Sequence, residues 1–239
     1  MSRSSGPDRR AHTSGIRHRC ATTRHWTIAW DRTFADEEIV ATMADRYANF
    51  AEFSKEEKLD FDYRIWLRDL STPIVVLAPH GGWIEPGSSE VAAAIASEDY
   101  SLYLFEGIRR GRPHRDLHIT STRFDEPQAT QLVGSAQTAI AVHGRRDGND
   151  PRTVWLGGRN ASLGTAIAQS IGAAGFEITA AERSLAGREP LNICNRGTSG
   201  GGVQLELPRT LRDELLLDVL RLQLFCDAVR EAMLASLSA

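Results

Sequence analysis

The sequence has few cysteines and no long apolar run, and each shortage excludes a class of protein. The three cysteines, Cys20, Cys194 and Cys226, form no CxxC pair and leave an odd one, which argues against a disulfide framework and a thiolate zinc site. The longest apolar runs, IVVLA and LLLDVL, are far shorter than a membrane span. No apolar segment follows Arg9 and Arg10 as an export signal requires. We therefore expect a cytoplasmic protein without a membrane partner.

An excess of charge of one sign is also lacking. The formal net charge is -3, with 41% hydrophobic and 25% charged residues, as is typical of a soluble globular protein. This balance, and the lack of an aromatic stacking motif, argue against nucleic acid as a partner. The opposing feature is the segment 1–25, which carries six arginines and one aspartate. A non-catalytic, nucleic-acid-associated factor therefore stays open as an alternative.

The composition along the chain predicts one folded domain behind a tail. Residues 1–25 contain hardly any large apolar side chain, which predicts a disordered basic tail, and residues 26–239 are long enough for a single domain. Apolar residues from Phe34 to Tyr47 recur at helical spacing behind an acidic first turn. This pattern predicts an amphipathic surface helix.

The remainder of the chain alternates between strand and helix patterns. The continuous apolar run in TPIVVLAP is typical of a strand that is covered on both faces. Such an order predicts a layered α/β domain with a mixed or mostly parallel sheet, closed by one long helix from about Arg209 to Leu237. The other predicted strands are DYRIWLRDL, SLYLFEG, TAIAVHG, TVWLGG, FEITA and GGVQLELP, and the helices are SSEVAAAIASED, PQATQLVGSA and NASLGTAIAQSIGAAG.

Polar residues lie at or near the ends of three predicted strands. They are His80 after IVVLAP, His143 in AIAVHG and Glu206 in VQLELP. Ligands of open α/β sheets gather beyond the carboxyl ends of strands, so these residues are expected to converge. With Glu85, the two histidines meet the three-ligand count of a catalytic zinc site. The glycines in HGGWIE would let the chain turn sharply enough for His80 and Glu85 to face one point.

Each of these residues also has a structural interpretation. A histidine after a strand is commonly a hydrogen-bonded structural residue, and Glu85 could simply favour the positive end of the helix that follows Pro86. Glu206 lies on the face of its strand opposite the leucines, where a carboxylate is suited to act as a general base. An ion pair with Arg196 or Arg209 is the alternative for Glu206.

Arginines in the predicted loops indicate the sign of the substrate. They occur in RRGRPHR at 109–115 and at Arg123, Arg145, Arg146 and Arg196. Because guanidinium groups pair with carboxylates bidentately, we expect a carboxylate-rich substrate. Solvated loop charge is the alternative for any single arginine.

Five motifs in one order resemble the poly-γ-glutamate hydrolase family, whose phage and bacterial members include some labelled phage-related replication proteins. They are APHGGWIEPGSSEVAAAIA, LHITSTRFDEP, AVHG, LGGRN and NICNRGTSGGGVQLELPRTLRD, and the resemblance spans about 60–222. It implies an α/β/α fold similar to that of the zinc carboxypeptidases and a zinc-dependent hydrolase of γ-glutamyl amide bonds. It also implies that Zn²⁺ is held by His80, Glu85 and His143, and that Glu206 is the catalytic carboxylate.

The resemblance leads to a set of expected roles. Glu206 would accept a proton from a zinc-activated water that attacks the amide. Arg196 or Arg123 would stabilise the oxyanion or bind a glutamate carboxylate, and His118 and Asn195 are further candidates for substrate binding. The expected substrate is poly-γ-glutamate or a similar anionic γ-glutamyl compound. A smaller γ-glutamyl or N-acyl amide is the alternative, because a cytoplasmic protein meets an extracellular polymer only after lysis.

Overall fold

The computed structural model describes residues 45–111 and 113–238, which belong to one compact unit, residues 43–239. The predicted tail over 1–25, its boundary and most of the predicted helix from Phe34 lie outside the described residues and stay predictions. Two short 3-10 turns cover His114–Leu117 and Ile193–Asn195. The other elements are α1 (Phe50–Glu56), β1 (Tyr63–Arg68), β2 (Ile74–Gly82), α2 (Ser88–Ala96), β3 (Ser101–Gly107), α3 (Pro127–Ser135), β4 (Thr138–Arg145), β5 (Val154–Gly158), α4 (Ala161–Ala173), β6 (Ile178–Ala180), β7 (Val203–Pro208), α5 (Arg209–Leu217) and α6 (Val219–Leu237).

The strands form one seven-stranded sheet in the order β1-β3-β2-β4-β7-β5-β6. Strands β3, β2, β4 and β7 run parallel to one another, and β5 runs parallel to β6. The pairs β1–β3 and β5–β7 are antiparallel. The predicted mixed, mostly parallel sheet is therefore confirmed.

Helices cover both faces of this sheet. On one face α2, α4, α5 and α6 enclose a core that includes Val76, Leu205 and Phe225. On the other face α1, α3 and the 3-10 turns enclose a second core around Phe53 and Phe105. Burying each large side chain contributes roughly 1.5–3 kcal/mol, so both cores fix the sheet between the helix layers. The three-layer α/β/α architecture is thereby confirmed.

The alternation along β7 divides its side chains as the sequence predicts. Val203, Leu205 and Leu207 enter the first core. Gln204 and Glu206 lie on the opposite face, where both line a cleft. The period of two in VQLELP thus directs a carboxylate away from the leucines.

The predicted single helix from Arg209 to Leu237 is wrong, because it is divided at Asp218. This residue has non-helical dihedral angles, with φ at -119° and ψ at 98°, and it is the N-cap of α6. Its carboxylate accepts hydrogen bonds from the backbone N–H groups of Leu220 and Arg221. An aspartate in this role starts a new helix in the middle of an unbroken apolar pattern.

The predicted helix up to Tyr47 is also not present over residues 45–49. Asn49 begins α1 instead, with its side chain accepting a hydrogen bond from the N–H of Glu52. Tyr47 is buried, as its apolar spacing suggests, and its hydroxyl donates to Glu57 over 2.5 Å. Capping by Asn49 therefore fixes the start of the helix at Phe50.

Replacing Asp218 tests its role as a cap. Asp218→Ala is expected to lower the free energy of unfolding by about 1 kcal/mol, since two helix N–H groups lose their acceptor. Urea denaturation measures the change. Asp218→Asn keeps an acceptor oxygen, so its free energy of unfolding should fall much less. An equal fall in the two variants would contradict the capping role.

Candidate active site

A cleft of about 770 Å³ opens at the carboxyl ends of the central strands. His80 lies near the end of β2, His143 near the end of β4 and Glu206 near the end of β7. The Cα atoms of His143 and Glu206 are partners in the β4–β7 ladder. Because parallel strands end at the same edge of a sheet, residues far apart in the chain line one cleft.

The loop after His80 returns Glu85 to the same point. The N–H of Glu85 donates to the carbonyl oxygen of His80 over 2.8 Å, which closes the loop. Gly82 has a φ of +62°, and a Cβ at Gly81 would lie 1.9 Å from Ser89 Oγ. Both positions therefore require glycine, and the sharp return expected of HGGWIE is present.

Four ligand-type atoms of three residues meet at this point. His80 Nδ1 lies 3.2 Å from both Glu85 Oε1 and His143 Nδ1. Glu85 Oε2 lies 3.6 Å from His143 Nδ1. Ligands at normal bond lengths from a tetrahedral zinc ion are about 3.3–3.5 Å apart. The donor atoms of His80, Glu85 and His143 therefore have the mutual spacing of a zinc coordination sphere.

The hydrogen bonds of His80 leave two acceptor atoms facing each other. Its Nε2 donates to the carbonyl oxygen of Ile119 over 2.8 Å, and burial lowers the pKa of His80 to about 4. The ring is therefore neutral, with a lone pair on Nδ1. Burial would raise the pKa of Glu85, but its contacts with the two histidines hold that pKa well below the usual range. A cation between these atoms would accept the His80 lone pair and balance the charge of the Glu85 carboxylate.

His143 presents the same ring nitrogen as His80 to the cluster. Its Nε2 lies 3.5 Å from Ser121 Oγ, so Nδ1 is the atom that faces Glu85. Burial alone would lower the pKa of His143, but the hydrogen bond with Glu85 and the negative charge of Glu206 raise it. A cation in the cluster would therefore displace a proton from a site that already favours positive charge.

Glu206 is buried beside this cluster, and its position is fixed by amide side chains. Gln204 Nε2 donates to Glu206 Oε1 over 2.7 Å and to the carbonyl oxygen of Leu185, and Gln204 Oε1 accepts from Asn192 Nδ2. Within the described part of the chain, Oε2 of Glu206 accepts no hydrogen bond. Burial raises the pKa of Glu206 to about 7, since the opposing effect of His143 is smaller. A carboxyl group with such a pKa both accepts and releases protons near neutral pH.

The site lies within a segment that matches known proteins. A family model described as poly-gamma-glutamate hydrolase matches residues 47–223. The chain belongs to the poly-gamma-glutamate hydrolase family. The resemblance of the five sequence motifs is thereby confirmed.

Relatives of the family occur in Bacillus subtilis (strain 168). The SPbeta prophage-derived UPF0714 protein YoqZ is 38% identical over 174 residues, which are 72% of this chain and 62% of YoqZ. The UPF0714 protein YndL is 35% identical over 173 residues, which are 72% of this chain and 67% of YndL. The chain thus matches less than two thirds of the length of YoqZ.

Two solved structures share the fold. A bacteriophage poly-gamma-glutamate hydrolase superimposes with a TM-score of 0.76 at 28% identity, covering 82% of this chain and 99% of the other. A zinc-free apo form of YndL superimposes with a TM-score of 0.73 at 32% identity, covering 81% of this chain and 99% of the other. Both therefore match the described fold over nearly their whole length.

In this member of the poly-gamma-glutamate hydrolase family, His118 lines the cleft. It directly follows the 3-10 turn His114–Leu117. Its ring centroid is 4.0 Å from that of His80. Nδ1 donates to Asp45 Oδ1 over 2.8 Å, which leaves Nε2 of a neutral ring as an acceptor. In this tautomer His118 offers an acceptor, and not a donor, to a substrate in the cleft.

Asp45 is a residue of the site that the sequence reasoning missed. Besides His118, it accepts hydrogen bonds from the N–H of Thr120 over 2.8 Å and from Arg123 Nη2 over 2.9 Å. Its side chain is only 6% exposed. Asp45 precedes His118 by 73 residues and falls in a segment with a helical pattern, so no local signal connects the two residues.

Arg196 does not face the cleft, and the structure does not support its expected catalytic role. Its guanidinium group donates to the carbonyl oxygens of Leu191, Phe124 and Thr122, and so joins two loops. The proposed ion pair between Glu206 and Arg196 or Arg209 is not formed either. Arg209 pairs with Asp213 over 2.9 Å.

Asn195 and Arg123 also have structural partners, and neither lines the cleft. The amide nitrogen of Asn195 donates to the carbonyls of Gly187 and Glu189, and its oxygen accepts from the N–H of Gly202. Arg123 is paired with Asp45. The structure therefore does not support substrate binding by these two residues.

Three exposed arginines do line the cleft: Arg146, Arg183 and Arg188. Within the described residues none of the three has a carboxylate partner. Arg145 also lines the cleft, but it is buried and stacks on Trp155 with its guanidinium carbon 4.0 Å from the ring centre. Arg183 and Arg188 belong to the loop after β6, which the sequence reasoning did not consider.

Replacing Asp45 tests its contribution to stability. Asp45→Asn is expected to lower the free energy of unfolding by about 2 kcal/mol at neutral pH, because an amide cannot accept from three donors. Burial raises the pKa of Asp45, but the hydrogen bond from His118 and those from Thr120 lower it more, to well below the usual value. The stabilisation is therefore complete above the unfolded-state pKa of about 3.9 and is lost as the pH falls further.

Urea denaturation of both proteins over a pH series measures this difference. The difference in the free energy of unfolding between wild type and Asp45→Asn should be constant from neutral pH to about pH 5. It should shrink below about pH 4. A difference that increases as the pH falls would contradict the conclusion that the ionised Asp45 carboxylate stabilises the fold.

Proposed function

We propose that this chain is a zinc-dependent hydrolase of γ-glutamyl amide bonds, acting on poly-γ-glutamate or a similar anionic γ-glutamyl substrate. The observation that supports it best is the convergence of His80 Nδ1, the Glu85 carboxylate and His143 Nδ1, which lie 3.2–3.6 Å apart in a buried cluster. Membership of the family and the zinc-free description of the YndL structure support the proposal.

His80, Glu85 and His143 would hold the ion through Nδ1, a carboxylate oxygen and Nδ1. A zinc ion bound there would polarise the scissile carbonyl and lower the pKa of a water to about 7. Hydrogen bonds that orient two of these side chains are already present, since His80 Nε2 donates to the carbonyl oxygen of Ile119 and Glu85 Oε2 accepts from the N–H of Gly144. Such outer contacts orient ligands before the metal binds.

Glu206 moves the proton in this proposal. The attacking water forms a bond from its oxygen to the carbonyl carbon and gives one proton to Glu206 Oε2. Glu206 then passes that proton to the amide nitrogen and the C–N bond breaks. The second water proton also ends on the amine, so a carboxylate and an ammonium group leave. Gln204 keeps Oε1 occupied throughout, which directs the proton to Oε2. A pKa of about 7 suits both transfers.

The exposed arginines select an anionic substrate. Every γ-linked glutamate residue keeps a free α-carboxylate, and Arg146, Arg183 and Arg188 surround the cleft without partners in the described part of the chain. Guanidinium groups bind carboxylates bidentately and so orient as well as attract them. Asp45 would position His118 beside His80, where its Nε2 contacts the substrate chain.

We further propose a cytoplasmic origin. Among the described helices, none is both long and apolar enough to cross a membrane. Cys194 and Cys226 are free and buried, which suits a reducing compartment. Release by lysis would bring a phage-derived enzyme to an extracellular polymer.

Metal analysis tests the ligands. Protein purified without chelator is expected to carry about one zinc ion per chain by elemental analysis, and His80→Ala and His143→Ala are each expected to lose it. His114→Ala is the matched control, since His114 hydrogen-bonds the carbonyl of Arg109 outside the cluster. Wild-type protein that stays metal-free after incubation with zinc would refute the site.

Replacing the proposed base tests the chemistry. Glu206→Gln is expected to lower kcat by about 100- to 10,000-fold while zinc content is unchanged, because the amide cannot take the proton. Release of amine from γ-glutamyl oligomers measures turnover. Glu182→Gln, an exposed residue outside the cleft lining, should leave the rate unaltered. Full activity of a zinc-loaded Glu206→Gln protein would remove Glu206 from the mechanism.

A further inference from the structure

A second cavity, of about 870 Å³, lies between α4 and the strands β5 and β6. We call it the α4 groove. Small residues of one helix face, Ala161, Gly164, Thr165 and Ala168, form one wall, and Leu156 and Ile178 belong to the opposite side. Arg188 lines both the α4 groove and the active-site cleft, so the two cavities adjoin at this side chain.

The charges that line the α4 groove are all positive. Arg159 and Arg188 are exposed, and no aspartate or glutamate is among the described residues that line it. Neither guanidinium group has a carboxylate partner in the described part of the chain. By contrast Arg152, an exposed arginine outside the groove, is paired with Glu214 over 3.0 Å. Unpaired arginines beside a cavity favour an anionic ligand.

The combined size of the two cavities indicates a chain longer than a small amide. Either cavity alone has the volume of a site for a drug-sized molecule. A γ-linked glutamate residue extends a chain by about 6 Å, with one carboxylate per repeat. A polymer that passes Arg188 therefore brings successive carboxylates from the cleft into the α4 groove.

We propose that the α4 groove binds γ-glutamyl residues of the substrate beyond those at the scissile bond, with Arg188 at the junction and Arg159 inside the groove. This inference rests on the proposed function of the cleft. Binding in the groove makes a polyanionic chain a better substrate than a small amide. Contacts in the groove are equally strong in the ground state and in the transition state. They therefore lower KM for long chains and leave kcat unchanged.

Two variants test the groove by independent means. Arg159→Gln removes charge, and Thr165→Trp fills the groove from an exposed helix position. Each is expected to raise KM for poly-γ-glutamate about 2- to 5-fold, the scale of an exposed ion pair, with kcat and the kinetics of a γ-glutamyl dipeptide unchanged. Arg152→Gln, which removes the same charge outside the groove, should behave as wild type. The effect of Arg159→Gln should fade in high salt.

Binding to the Glu206→Gln protein gives a readout without turnover. Calorimetric titration with poly-γ-glutamate is expected to show weaker binding when Arg159→Gln or Thr165→Trp is added. Unchanged polymer KM and affinity in both variants would overturn the groove while leaving the hydrolase function intact. If the variants impair cleavage of the dipeptide as much as cleavage of the polymer, the effect is a general one on the active site, and this result would also overturn the groove. A zinc-loaded wild type that cleaves neither substrate would overturn the proposed function and the groove with it.

Discussion

The parallel register of β2, β4 and β7 is the constraint on which the site depends. It sets His143 opposite Glu206 in the ladder and brings both to the edge where His80 lies near the end of β2. A slip of one residue in β7 would turn Glu206 into the apolar core and place a leucine in the cleft. Leu205 and Leu207 prevent this slip because a shift of one residue removes them from the core against the helix layer. The packing of one face thereby positions the chemistry of the other.

Burial in this site has two different effects on carboxylates and imidazoles. For His80 and Glu85 it removes water from side chains that have only one backbone hydrogen bond each, to Ile119 and from Gly144. The acceptor atoms that these bonds leave over favour a cation. For Glu206 the same loss of water raises the pKa to about 7. The difference arises because Glu85 touches two histidines, whereas the one group that donates to Glu206 in the described chain is the neutral amide of Gln204.

Five arginines of the described chain differ in what their guanidinium groups contact. Arg196 donates to three backbone carbonyls and Arg145 stacks on a tryptophan, so both hold the fold together. Arg146, Arg183 and Arg188 stay exposed at the cleft and are free to meet an anion. A guanidinium group with five donors is as well suited to fastening loops as to binding carboxylates. Its role therefore depends on which acceptors the fold brings within reach.

The sequence by itself determined the strands, the buried faces and the turn of HGGWIE, because apolar period and glycine act over a few residues. It also placed His80, His143 and Glu206 at or near strand ends and Glu85 in the turn that follows His80, and five ordered motifs identified the family. Tertiary structure alone decided that Asp45 binds His118 across 73 residues, and that Arg196 serves the fold. Such partners depend on how layers and loops pack, which no local pattern encodes.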